Sequence, residues 1–112
     1  EKPWGYFEVL FETDFSKVKI LSVDPGQMLS MQMHEHRSET WYVTQGIATV
    51  IKGDTTLELY PGESVVIKQK ERHRVQNFGK EVLEIIEIQT GTYFGEDDIV
   101  RFEDMYGRKD FH

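Results

Sequence analysis

Gly26-Gln27-Met28-Leu29-Ser30-Met31-Gln32-Met33-His34-Glu35-His36-Arg37-Ser38-Glu39 is the stretch on which the reading of this chain turns. It opens at the turn Asp24-Pro25-Gly26, where proline presets its own φ and glycine accepts a positive one. The pattern that follows predicts a strand over 28–34. Residues two apart in a strand share a face, so Gln32 and His34 point together, and His36 has the same parity. A turn near Arg37-Ser38 then leads to Glu39 at the start of the next strand. An amide oxygen, an imidazole nitrogen and a carboxylate oxygen meeting inside a barrel suit zinc, manganese, iron or cobalt. His73, at the start of a much later strand, is the fourth candidate ligand.

Outward from that stretch the chain reads as strands. Short alternating segments occupy 6–11, 18–23, 39–44, 47–51, 56–60, 64–67, 73–78 and 82–89, divided by Gly46, Gly53-Asp54 and Pro61-Gly62. No window predicts a helix of any length, and the charged, aromatic tail over 96–108 has room for one short helical turn. Many short strands at regular spacing predict an all-β sandwich or closed barrel. Closure also removes exposed edges.

A length of 112 residues fits a single domain, 1–112, with a modest core. Two Trp, five Tyr and seven Phe argue for a core and against disorder, despite 29% charged residues. The absence of cysteine excludes disulfides and thiolate metal sites, leaving nitrogen and oxygen ligands. A formal charge of −7 disfavours nucleic acid, whose backbone is held by basic surface. It leaves room for a small phosphate gripped by a few converging arginines. No apolar run approaches the ~20 residues of a membrane span, and no signal-peptide pattern is present, so the expected location is cytoplasmic. The first residue is Glu1 rather than Met, which fits a trimmed chain or part of a longer one.

The spacings carry a resemblance. Gly26-x5-Gln32-x-His34-x4-Glu39-x6-Gly46 resembles the first motif of the cupins, with Gln32 replacing the usual first His. Gly62-x5-Lys68-x-Lys70-x2-His73-x3-Asn77 resembles the second, with Lys68 and Lys70 replacing the usual proline and glycine. The resemblance implies a cupin double-stranded β-helix, or jelly-roll barrel. The cupin spacing favours Gln32 over His36 as a ligand and leaves His36 as a pocket or rim residue. More narrowly, several stretches look like the type II phosphomannose isomerase cupin. They are Lys2-Pro3-Trp4-Gly5, 25–30, 32–39 with Trp41, His73-Arg74, Glu87-Ile88-Gln89 and the run 95–108. In that family the domain often follows a mannose-1-phosphate guanylyltransferase domain. No such domain or glycine-rich nucleotide loop is found in this sequence, so a complete chain would resemble the stand-alone form.

The resemblance implies metal-dependent interconversion of mannose 6-phosphate and fructose 6-phosphate through an enediolate. It also implies one divalent ion, zinc first, with manganese, iron or cobalt as alternatives. The related type I isomerases use a Gln, His, Glu, His zinc set, which supports Gln32, His34, Glu39 and His73 here by analogy. A homodimer is the family expectation, with the first strand a candidate for exchange. Glu87 is the candidate proton-transfer base, sharing a face with Gln89, while Glu84 has the opposite parity and should face water. Lys19 is the second candidate. For the phosphate, Arg37 and Arg101 are favoured over Arg74 and Arg108; Arg74 has the wrong parity for the pocket. His36 and Gln89 complete the expected substrate contacts, and Trp4 and Trp41 are expected to pack the core or an interface.

Overall fold

The computed structural model describes residues 2–102, so Glu103, Asp104 and Arg108 of the expected tail lie outside the described residues. Ten strands are formed among them. In chain order these are β1 (Gly5–Glu12), β2 (Ser16–Val23), β3 (Gln32–His34), β4 (Arg37–Gln45), β5 (Ala48–Lys52), β6 (Thr55–Leu59), β7 (Ser64–Ile67), β8 (His73–Gln76), β9 (Leu83–Gly91) and β10 (Ile99–Arg101). A 3-10 turn, Glu96–Asp98, precedes the last and fits the short helical turn expected there. One sheet has the order β1-β2-β9-β4-β7 and the other β10-β3-β8-β5-β6. Each strand pairing is antiparallel.

Alternation along β4 and β9 sorts the side chains. Arg37, Glu39, Trp41 and Val43 of β4 are buried, as are Leu83, Ile85, Glu87 and Gln89 of β9. The inward residues change character at one level across the sheet. Register places Val43 opposite Ile85, Trp41 opposite Glu87, and Glu39 opposite Gln89. On β2 the same level separates Leu21 and Val23 from Lys19. One end of the interior is therefore an apolar core, where Leu21, Val23, Val43 and Ile85 meet Val50, Leu59 and Val75 of the second sheet. Each such burial contributes ~1.5–3 kcal/mol. The other end is polar and belongs to the site.

Three departures from the sequence reading have local causes. The strand expected over 28–34 is regular only at Gln32–His34. Met28 bridges Gln76, yet Gln32 faces His73, so four steps on one strand match three on the other. The extra residue makes a bulge-like interruption that alternation alone does not reveal. β10 replaces irregular tail, because Ile99, Val100 and Arg101 find an open edge opposite His34, Met33 and Gln32. Lys70 adopts φ +64°, the left-handed conformation usually given to glycine. Its N–H donates to the His34 carbonyl at 2.6 Å, which explains why the backbone keeps this shape.

Candidate metal centre and active-site cavity

His34, Glu39 and His73 come together at the polar end of the interior, with each side chain offering a donor atom within 4.8 Å of the others. All three are 3% exposed. His34 arrives at the end of β3, Glu39 near the start of β4 and His73 at the start of β8, so the cluster joins both sheets. His34 Nδ1 lies 3.6 Å from Glu39 Oε2, and His73 Nε2 lies 3.9 Å from Glu39 Oε1. These separations are too long for hydrogen bonds. They are close to what donors sharing an ion require, since two ligands each ~2.1 Å from a divalent metal stand at most about 4.2 Å apart, and the cluster as a whole, within 4.8 Å, needs only a small inward shift to meet it. His73 Nδ1 donates to the Glu71 carbonyl at 2.9 Å, which leaves Nε2 bare toward Glu39. Burial holds both imidazoles neutral, the ligand form: the pKa of His73 is lowered, and His34 falls to about 2 with the Arg37 charge adding to burial. Gln32 lines the same cavity, opposite His73 in register, and its amide nitrogen donates to Ser30 Oγ at 3.1 Å. The donor set fits a divalent ion of the nitrogen- and oxygen-preferring kind.

Glu87 faces this cluster from β9, 5% exposed and on the cavity wall. Burial and the neighbouring Glu39 charge push its pKa up to about 7. Trp41 Nε1 donates to both carboxylates, at 3.0 Å to Glu39 Oε1 and 3.2 Å to Glu87 Oε1. Gln89 Nε2 donates to the other Glu87 oxygen at 2.5 Å. Gln89 is fully buried and outside the cavity lining, so the structure places it behind Glu87 rather than beside a ligand. Glu84 lies on the outer face, accepting from Thr44 Oγ1 at 2.7 Å. Lys19 sits across the register from Glu87, buried on the cavity wall with its ammonium 4.3 Å from the Phe7 ring centroid.

Basic side chains crowd the rest of the cavity. Lys2, Lys19, Arg37, Arg74 and Arg101 line it, against the acids Glu39 and Glu87. In a chain of net charge −7 this is a local reversal of sign. Arg101 comes from β10, which lies along β3. Arg74 reaches the lining although its strand parity predicts otherwise; it lies within the stretch of β8 where the register against 28–32 slips by one residue. Arg37 is 2% exposed, and its guanidinium is engaged by His34, Glu39 and the Phe94 carbonyl. His36 lies outside the lining and the metal-donor cluster, its side chain 58% exposed and bonded to Asp98 at 2.7 Å. The turn after His34 reverses which parity faces inward, so His36 points out while Arg37 points in.

The roles of Trp41 and Lys2 are absent from the sequence reading. Trp41 shares parity with Glu39, a readable signal, but its place between two carboxylates depends on the register of β9. Lys2 precedes the first strand and carries no periodic signal.

A family model described as mannose-6-phosphate isomerase, C-terminal, matches residues 1–104. The xanthan biosynthesis protein XanB of Xanthomonas campestris pv. campestris (strain B100) is 49% identical over 107 residues, 96% of this chain and 23% of that protein. The alginate biosynthesis protein AlgA of Pseudomonas aeruginosa is 47% identical over 107 residues, 96% of this chain and 22% of its own length. A mannose-1-phosphate guanylyltransferase of Escherichia coli (strain K12) is 45% identical over 108 residues, again 96% and 22%. The chain thus spans less than a quarter of the length of these relatives. Among solved structures, a Klebsiella pneumoniae protein with a double-stranded β-helix domain aligns at TM-score 0.79 and 24% identity, covering 90% of this chain and 81% of that one. The cupin domain of Schizosaccharomyces pombe Cnp3 aligns at 0.73 and 16%, covering 76% and 63%. The fold is that of a cupin, as the motif spacings imply.

Proposed function

The chain belongs to the mannose-6-phosphate isomerase C-terminal family, and from that membership we propose that it is a metal-dependent isomerase interconverting mannose 6-phosphate and fructose 6-phosphate. The observation that carries this reading is a buried carboxylate, Glu87, facing the His34–Glu39–His73 cluster in one cation-lined cavity. A pKa near 7 lets Glu87 take a proton from one carbon of the sugar and return it to the next. Trp41 and Gln89 hold that carboxylate in place. Lys19 faces the same space and balances charge as an enediolate forms. Arg101, with Arg74 and Lys2 beside it, is suited to receive the phosphate. Gln32, His34, Glu39 and His73 would hold the ion, zinc by first choice. When bound, it supplies Lewis-acid stabilisation of charge on the sugar oxygens. His36 stands outside this arrangement and is given no part in it.

The test is a coupled assay on mannose 6-phosphate, with and without chelator. Turnover that chelator abolishes and zinc restores supports the proposal. Binding of mannose 6-phosphate by metal-replete protein without turnover would instead make the chain a sugar-phosphate-binding cupin. The relatives' much greater length makes the cupin portion of a bifunctional guanylyltransferase a second setting for the same site. We further propose that the chain works in the cytoplasm as a homodimer. No helix among the described residues is long and apolar enough to cross a membrane. β1 ends its sheet and exposes Tyr6, Leu10 and Phe11, an edge suited to a second copy.

A further inference from the structure

We propose that the outer face of the first sheet is where a second copy of this chain packs, so that the pair is held face to face as well as at the β1 edge. This rests on the homodimer reading above and names the surface that would hold it.

Register assembles the face. Side chains opposite one another in a ladder share a face of the sheet, and the outward positions fall into two rows across the strands. One row runs Phe11, Val18, Ile88, Thr40, Val66, and the next carries Ile20, Ile86 and Tyr42. Phe11, Val66, Tyr42 and Ile88 are 55, 50, 44 and 38% exposed. An antiparallel sheet with one face in water alternates apolar inward with polar outward. β6 of the second sheet obeys that rule, turning Thr56 and Glu58 out while Leu57 and Leu59 turn in. β9 breaks it twice, at Ile86 and Ile88, on strands whose inner face already holds the core. A contiguous apolar patch of this kind marks a contact surface.

Area, charge and continuity select a second copy as its cover. β1, β2, β4 and β9 are eight or nine residues long. With β7 they present on the order of 600 Å² in plan and more in accessible surface, close to the ~800 Å² that each partner of a stable pair contributes. No lysine or arginine lies in either row, so an anionic membrane or a nucleic acid would find no basic group there. The acids Glu8 and Glu84 stand at the margin. Two apolar rows meeting their own copies across a two-fold axis leave no charge unpaired at the centre. Phe11 belongs both to this face and to the β1 edge, so one partner can cover the two together.

Sedimentation of the 112-residue chain tests this. Wild type should be a dimer. Val66→Lys and Ile88→Lys, each with the circular dichroism of wild type, should weaken pairing on the order of a hundredfold or more, because an ammonium would be buried without a partner. Thr56→Lys, on the outer face of the second sheet, should pair as wild type does, and loss of pairing there as well overturns the assignment. Dimers that survive both face variants overturn the face while leaving the homodimer standing. A monomeric wild type overturns both, and leaves the face to the additional chain that the longer relatives carry. Should the lysine variants not fold, wild-type methyl resonances decide. Those of Ile88 and Val66 should be shielded from a soluble paramagnetic probe in the dimer, and their broadening by the probe overturns the inference.

Discussion

At the scale of single residues, Glu87 gathers the most consequences. Its pKa of about 7 places the acidic limb of the proposed isomerase near neutrality, with activity rising as pH rises through that value. Glu87→Gln should lower kcat ~10²–10⁴-fold while zinc content is retained; near-normal turnover would remove Glu87 as the base. The same shift predicts a stability effect in metal-free protein. A folded-state pKa raised from 4.5 to about 7 stabilises most below pH 4.5, and that contribution is lost as pH rises through about 7. Glu87→Gln should therefore gain about 3 kcal/mol on wild type between pH 4.5 and pH 8, measured by urea unfolding with chelator present; a pH-independent difference would contradict this. Lys70 is a second lever. Its φ of +64° is strained for a lysine, so Lys70→Gly should stabilise the chain by about 0.5–1 kcal/mol, net of the glycine's own entropy cost. Destabilisation in a urea titration would mean that the lysine side chain contributes more than its backbone costs. Much at this scale was readable: His34 and Glu39 follow from spacing, and Glu87 from parity. The pairing of Arg37 with His34 was not, because it depends on how the turn at Glu35–His36 folds back.

Elements were legible where alternation was strict and illegible where a neighbour decided. β7 begins and ends where its pattern predicts, whereas β3 is short because of the extra residue opposite β8. β10 could not be foreseen, since it forms only by adding to the edge of β3. Asp98 fastens it there, accepting from the Glu35 and His36 amides at 3.3 and 3.0 Å and facing His36 Nδ1 at 2.7 Å. Asp98→Ala should accelerate amide exchange at Val100 and Arg101 at least tenfold. It should also raise KM for mannose 6-phosphate more than it lowers kcat, because Arg101 travels with this strand. Unchanged exchange would show that pairing to β3 alone suffices. At the opposite edge, Phe11→Lys on β1 should convert the proposed dimer to monomer in sedimentation. A wild type that is already monomeric would remove that proposal.

For the molecule as a whole, the change of the interior from apolar to polar at one level explains how the chain both folds and keeps a site. The core at one end fixes the strands, and their other ends carry Glu39, Glu87 and Lys19 at positions set by register. The all-β class was legible because periodicity is local; the order of strands was not, because it rests on pairings such as β2 with β9, far apart in sequence. An ion that binds only the folded chain should raise its stability by about 2.7 kcal/mol at a hundredfold excess over Kd, seen as a higher Tm that chelator reverses. An unaltered Tm on saturating zinc would argue against a buried site. The ligands of that ion come from both sheets, in a chain without cysteine. Where a secreted barrel would tie its layers with a disulfide, an ion held by these candidate ligands would tie them by coordination. The layers should then loosen as free metal is withdrawn and stay indifferent to thiols and oxidants.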